Sequence, residues 1–147
     1  MDNEFGVCYA ATLLPVAFAE SVIHESGIYR SGHYVVAAAD LNRWAIQFSH
    51  PTKEELVLAD LTGEGLKALG LNNDISAGND YTLTQLWAQA IYRSSPKWDG
   101  IRYVSRQQNQ GYAMAIFERS GIVKVSAQPL TGVALDMLCS LFDVAVV

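Results

Sequence analysis

Residues 13–25, LLPVAFAESVIHE, put a carboxylate on the apolar side of a helix, and any fold of this chain has to accommodate it. Pro15 is tolerated in a first helical turn, where no intrahelical donor is lost. At about 100° per residue, Glu20 falls in the arc shared by Leu13, Val16, Ala17 and Ile23, with His24 beside it. Burying a carboxylate there is costly unless it is paired or hydrogen-bonded. Two outcomes are open. Glu20 sits at the edge of the core, its head in water or on a structural arginine, or it is held inside for chemistry.

A chain of 147 residues is long enough for one domain with a real core. Half of the residues are hydrophobic and 17% are charged, which describes a globular chain and excludes a disordered one. The net charge is −5 and no run of Lys or Arg exceeds a residue or a pair, which argues against a nucleic-acid partner. A small anionic ligand held by one or two arginines stays open. The start of the chain has no basic region followed by a long apolar run, and no apolar stretch reaches membrane-spanning length. The expectation is a cytoplasmic protein without a membrane. Cys8 and Cys139 lie far apart and share no metal-site spacing with the three histidines, so two reduced, buried thiols and no metal are expected.

Residues 5–11 (FGVCYAA) read as a core strand. Residues 25–32 are polar, and 33–39 (HYVVAAA) suit a strand or a short helix. Residues 43–49 alternate Trp44, Ile46 and Phe48 as a half-buried strand, and 56–61 (LVLADL) suit a buried one. A short helix is expected within 63–71 and a Gly/Asn/Asp-rich loop over 72–80. Thr82 and Gln85 form a capping-box pattern that opens a helix with Leu83, Leu86, Trp87, Ala90 and Ile91 on one face, stopped at Ser94-Ser95-Pro96. Strands follow over 101–105, 112–117 and 122–127, with a polar turn at 107–111. Residues 133–143 form a terminal helix, apolar on several faces, for the core or for an interface. There is no repeat or linker, so the chain is one α+β domain.

Three side chains stand out for chemistry: Tyr9 in the first strand, Glu20, and Ser105 at a strand end in GIRYVSRQ, with Arg102 and Arg106 close by. Singly, each has an ordinary explanation: a core tyrosine, a turn-forming serine, a solvated arginine. No nucleophile elbow surrounds Ser105, and residues 63–70 (GEGLKALG) lack the spacing of a phosphate loop.

Together they match a family. FGVCYAATLLPVAFAESVIHE (5–25) resembles the strand-then-helix segment of RES-domain proteins, in which a tyrosine-bearing strand precedes the helix carrying the family's Glu. LVLADLTGEGLKALGL (56–71) resembles the middle strand and following turn. DYTLTQLWAQAIY (80–92) resembles a later helix, and DGIRYVSRQ with AMAIFE the strand carrying the family's Ser. The matches run in family order over residues 5–118. Glu20 then takes the place of the family Glu and Ser105 that of the Ser. The family Arg lies upstream of the first strand, and no Arg occurs here before Arg30. The expectation is a single RES-like domain over 1–147 without the segment that carries that Arg, which would leave the Tyr9 strand at an exposed edge, prone to dimerise or aggregate.

The resemblance implies an ADP-ribosyltransferase-like fold and a bacterial toxin that degrades NAD+ or transfers ADP-ribose, paired with an antitoxin bearing an Xre-like helix-turn-helix. NAD+ would be the substrate. Glu20 would stabilise positive charge on the ribose, Tyr9 contact the nicotinamide ribose, Ser105 hold a ribose hydroxyl or phosphate, and Arg102 or Arg106 stand in for the missing Arg on the pyrophosphate. Two other classes remain: a catalytically silent remnant that still captures an antitoxin, and an unrelated α+β binding domain.

Overall fold

The computed structural model describes residues 4–70, 82–105 and 110–147, and these form an α+β fold built on three small sheets. The main sheet has the order β1-β7-β6-β5, from strands Val7–Ala11, Tyr112–Phe117, Gly100–Val104 and Leu58–Leu61. The first two contacts in it are antiparallel. β5 and β6 run parallel, so the chain crosses over between them through α3 (Gly63–Ala68) and α4 (Thr82–Ser94). A second sheet joins β2 (Ile28–Arg30), β3 (His33–Val36) and β9 (Val144–Val146). β4 (Trp44–Ser49) and β8 (Val123–Pro129) make a separate antiparallel ribbon.

Two apolar cores result. One lies between the N-terminal helix and the second sheet: Phe18, Val22 and Ile23 meet Val36, Leu41, Leu130 and Leu138. The helix comprises α1 (Leu14–Phe18), a π-helical turn (Ala19–Ile23) and α2 (His24–Ser26), and α5 (Gly132–Leu141) closes this core with Leu138. The other lies under the main sheet, where Leu61, Ile101, Ala115 and Phe117 meet Leu66 of α3 and Ala88 of α4.

Several expectations change. The stretch read as polar over 25–32 contains β2, formed because the tight Ser31-Gly32 turn, with both residues at positive φ, folds it back on β3. The run at 33–39 is a strand to Val36 and then a 3₁₀ turn. β5 is an edge strand with Asp60 exposed, and is not buried on both faces. On α4 the inward face carries Ala88, Ile91 and Tyr92, while Leu86 and Ala90 point outward. The helix is turned because the Tyr92 ring stacks on Phe5 at 4.1 Å and meets Phe117 edge-on at 5.2 Å, which recruits an aromatic ring to the core. Cys8 and Cys139 are free but half-buried. α4 begins at Thr82, and the capping side chain expected there, the loop over 72–80 and most of the turn at 107–111 fall outside what the structure describes. No described helix is long and apolar enough to cross a membrane.

Two polar clusters fasten the second core. Arg119 donates to the carbonyls of Tyr92, Ser95 and Trp98 at 2.9, 2.7 and 3.0 Å and stacks over Tyr92 at 4.0 Å, closing the C-terminal end of α4. Asp99 is buried and accepts from Lys53 Nζ and from the Val57 N–H, both at 2.8 Å. Burial alone would raise its carboxyl. The hydrogen bonds from Lys53 and Val57, with the charges of Lys53 and His50, outweigh burial and hold it below the ordinary aspartate range.

Arg119→Ala removes three carbonyl partners and a stacked cation, and is expected to cost about 2–4 kcal/mol in denaturant unfolding, each bond contributing roughly 1 kcal/mol. Asp99 has a folded pKa below its unfolded value, so its contribution is full above the unfolded pKa, about 4, and is lost as pH falls through the folded one. Asp99→Asn is therefore expected to be less stable at pH 7 and to lose less further stability below pH ~4 than the parent, checked by unfolding midpoints across pH.

Candidate active site

The chain enters the site through a pinned corner. Thr12, at the end of β1, donates from its N–H to Tyr112 O at 3.0 Å, and its Oγ1 accepts from the Tyr112 N–H at 3.1 Å. That fastens the start of the helix to the start of β7. Gly111 makes the approach possible: a Cβ there would stand 2.7 Å from Val16 Cγ2 and 3.1 Å from Thr12 Oγ1. Pro15 occupies the first turn of α1, as expected, and Leu13 is its exposed N-cap and no part of the buried arc.

The helix is not uniform. At Ala19–Ile23 it widens into a π turn, in which the His24 N–H donates to Ala19 O, five residues back, and Ser21 Oγ donates to Ala17 O at 2.7 Å. Such turns insert an extra residue and re-aim side chains, and they recur at functional sites. Here the turn keeps Ala19, Val22 and Ile23 buried while Glu20 stands half-buried between them.

Glu20 is met by Ser105. Ser105 follows the last residue of β6, is 0% exposed, and donates from Oγ to Glu20 Oε1 at 2.6 Å. Two residues 85 apart in sequence thus form one unit, and it ties the helix of the first core to the central strand of the second. A half-buried carboxylate held at one oxygen is a fixed negative charge at the edge of the interior, suited to stabilising a cation that develops against it.

The other expected residues are placed differently. Tyr9 sits on the edge strand β1, 64% exposed, opposite Ala115 and in the same cross-strand row as Ile101. Arg102 lies on the opposite face, where it pairs with Asp60 on the neighbouring strand at 2.7 Å and covers the Tyr112 ring at 4.3 Å. Asp60 also accepts from the Thr62 hydroxyl at 2.6 Å. The hydrogen bond to Asp60 raises the Arg102 pKa, while for Asp60 burial is outweighed by the bonds from Arg102 and Thr62, which hold its carboxyl low. Arg106 lies outside the described residues. Thr12, Gly111 and the π turn are positioning features without a distinctive mark in the sequence. The small and polar residues ahead of Pro15 are the nearest signal for the corner.

The model of the RES domain matches residues 2–135 of the chain. No curated protein and no solved structure matches it.

Removing the hydroxyl in Ser105→Ala leaves Glu20 without its donor and is expected to destabilise by about 1–3 kcal/mol. Glu20→Gln keeps an acceptor oxygen of the same shape and is expected to stay within about 1 kcal/mol of the parent. Denaturant midpoints of the two variants check the pair.

Proposed function

The chain belongs to the RES-domain family, and from that premise we propose that it breaks the nicotinamide–ribose bond of NAD+, as a toxin-like NAD+-degrading or ADP-ribosyl-transferring enzyme. The observation that carries the reading is the Ser105–Glu20 bond: the two side chains that match the family's Ser and Glu converge at 2.6 Å on a half-buried carboxylate.

The chemistry asks for such a group. When the C–N bond to nicotinamide breaks, its electron pair leaves with the ring, which departs neutral, and the ribose becomes oxocarbenium-like. A carboxylate fixed beside the sugar stabilises that charge without reorganising at the moment of reaction. Glu20 takes this role. Ser105, fully enclosed, acts through Glu20 by fixing its oxygen. The acceptor, whether water, phosphate or a protein side chain, then adds to the ribose carbon and loses its proton.

Tyr9, exposed at the sheet edge, offers a ring to the nicotinamide-ribose portion. Arg106 takes the pyrophosphate in this reading, from sequence alone, since Arg102 is held by Asp60 on the face away from Tyr9. An antitoxin of the helix-turn-helix class and a cytoplasmic setting belong to the same proposal and rest on family membership.

The test is NAD+ consumption by the purified chain, with and without phosphate. The parent is expected to consume NAD+, and Glu20→Gln to do so about 100- to 1000-fold more slowly. Dependence on phosphate would mark phosphorolysis. Equal rates for parent and Glu20→Gln, or no consumption by a protein shown to be folded, would sink the enzymatic reading and leave a binding module.

A further inference from the structure

The β4–β8 ribbon is almost wholly exposed among the described residues. All of β8 is exposed, and β4 presents Trp44 at 59%, Ile46 at 49% and Phe48 at 39% exposure. Two paired strands alone are marginal in water, and a lasting sheet needs more strands or a covering layer.

The hydrogen-bond phase of the ribbon shows which edge is open. The Leu130 N–H donates to Arg43 O at 2.9 Å, and the register runs Trp44↔Pro129, Ala45↔Gln128, Ile46↔Ala127. Opposed residues alternate between bonded and non-bonded pairs, so Arg43, Ala45 and Gln47 turn their backbone groups toward β8. Trp44, Ile46 and Phe48 turn theirs to the other side, where no strand pairs among the described residues. Pro129 agrees with this phase, since it falls at a non-bonded position and leaves the outer edge of β8 without a donor there. The register shift at Gln47/Phe48 places the irregularity of the ribbon on β8. β4 has none of these guards: its six residues, WAIQFS, include no proline and no charge.

We propose that the open edge of β4 pairs antiparallel with β4 of a second copy of this chain, giving a four-stranded β8-β4-β4-β8 sheet about a two-fold axis. The sequence of β4 is self-complementary in that register. With Ile46 on the axis, Ile46 faces Ile46 of the partner subunit and Trp44 faces the partner subunit's Phe48, so one face becomes continuous apolar surface. Aromatic and β-branched cross-strand pairs of this kind stabilise sheets. On the other face Ala45 meets the partner's Gln47, and Arg43 meets the partner's Ser49. No like charges are opposed, which matters in a chain of net charge −5. The pairing is isologous and closes at two, without continuing into a fibre.

The mass of the purified chain is measured by light scattering over a concentration series, with hydrogen exchange at both ends of it. The expected result is a rise to twice the chain mass, with the amides of Trp44, Ile46 and Phe48 slowed at least tenfold as the dimer forms. Ile46→Lys sets two ammonium groups against each other on the axis and is expected to stay monomeric, while Val133→Lys, on the exposed side of α5, dimerises like the parent. Hydrogen exchange needs no variant, so it decides the matter even if Ile46→Lys fails to fold. A monomer throughout the series overturns the proposal. So does a dimer in which the three amides exchange as in the monomer, or one that Val133→Lys abolishes.

Discussion

A carboxylate on the inner side of an apolar helix has to be met by a donor, and in this fold Ser105 meets it. The bond needs β6 to deliver a serine at the point where the strand stops, and the helix to open by one residue so that Glu20 turns toward it without exposing Val22 or Ile23. Both conditions depend on the corner in which Thr12 grips Tyr112 and Gly111 lets Val16 come close. A single 2.6 Å contact therefore summarises how the two cores are set against each other. The net energy of one such bond is small, but leaving the carboxylate unpartnered costs more than the bond gains, so it acts chiefly as a constraint.

Much of the architecture was legible in the chain. Alternation located β4, apolar runs located β1, β6 and β7, and Pro15 and Ser94-Ser95-Pro96 bounded the helices, because these signals are local and steric. What stayed hidden depends on partners distant in sequence. The face of α4 was misread since the wheel favours Leu86, whereas Phe5 and Phe117 draw in Tyr92 and leave Leu86 outside. β9 lies beyond the terminal helical pattern, too short to be read as an element by itself, and it is a strand because β3 offers it a parallel neighbour. β2 was concealed by its polar flanks.

At the site the balance is similar. Periodicity alone singled out Glu20, and the family pattern singled out Ser105, but nothing in the sequence announces that the helix carrying the first is π-wound there, since the residues AESVI suit either winding. Arg102 illustrates the converse. Its place near Ser105 in sequence suggested a free cation, and the strand pleat sends it to the other face, onto Asp60 and Tyr112. Adjacent residues on a strand belong to opposite surfaces, so nearness in sequence is poor evidence for a shared site.

The pairing of β1 with β7 joins residues more than a hundred positions apart, and the crossover between β5 and β6 intervenes. A ribosome releases the strand and helix that hold Glu20 long before it makes Ser105 or the neighbour of β1. During that interval the carboxylate has neither its donor nor the sheet that orients it, and contacts of such separation are slow to form. The site is thus a late product of synthesis. An unfinished chain contains the catalytic candidate in sequence but not in space, so whatever the site does is withheld from the nascent protein until its last third has emerged.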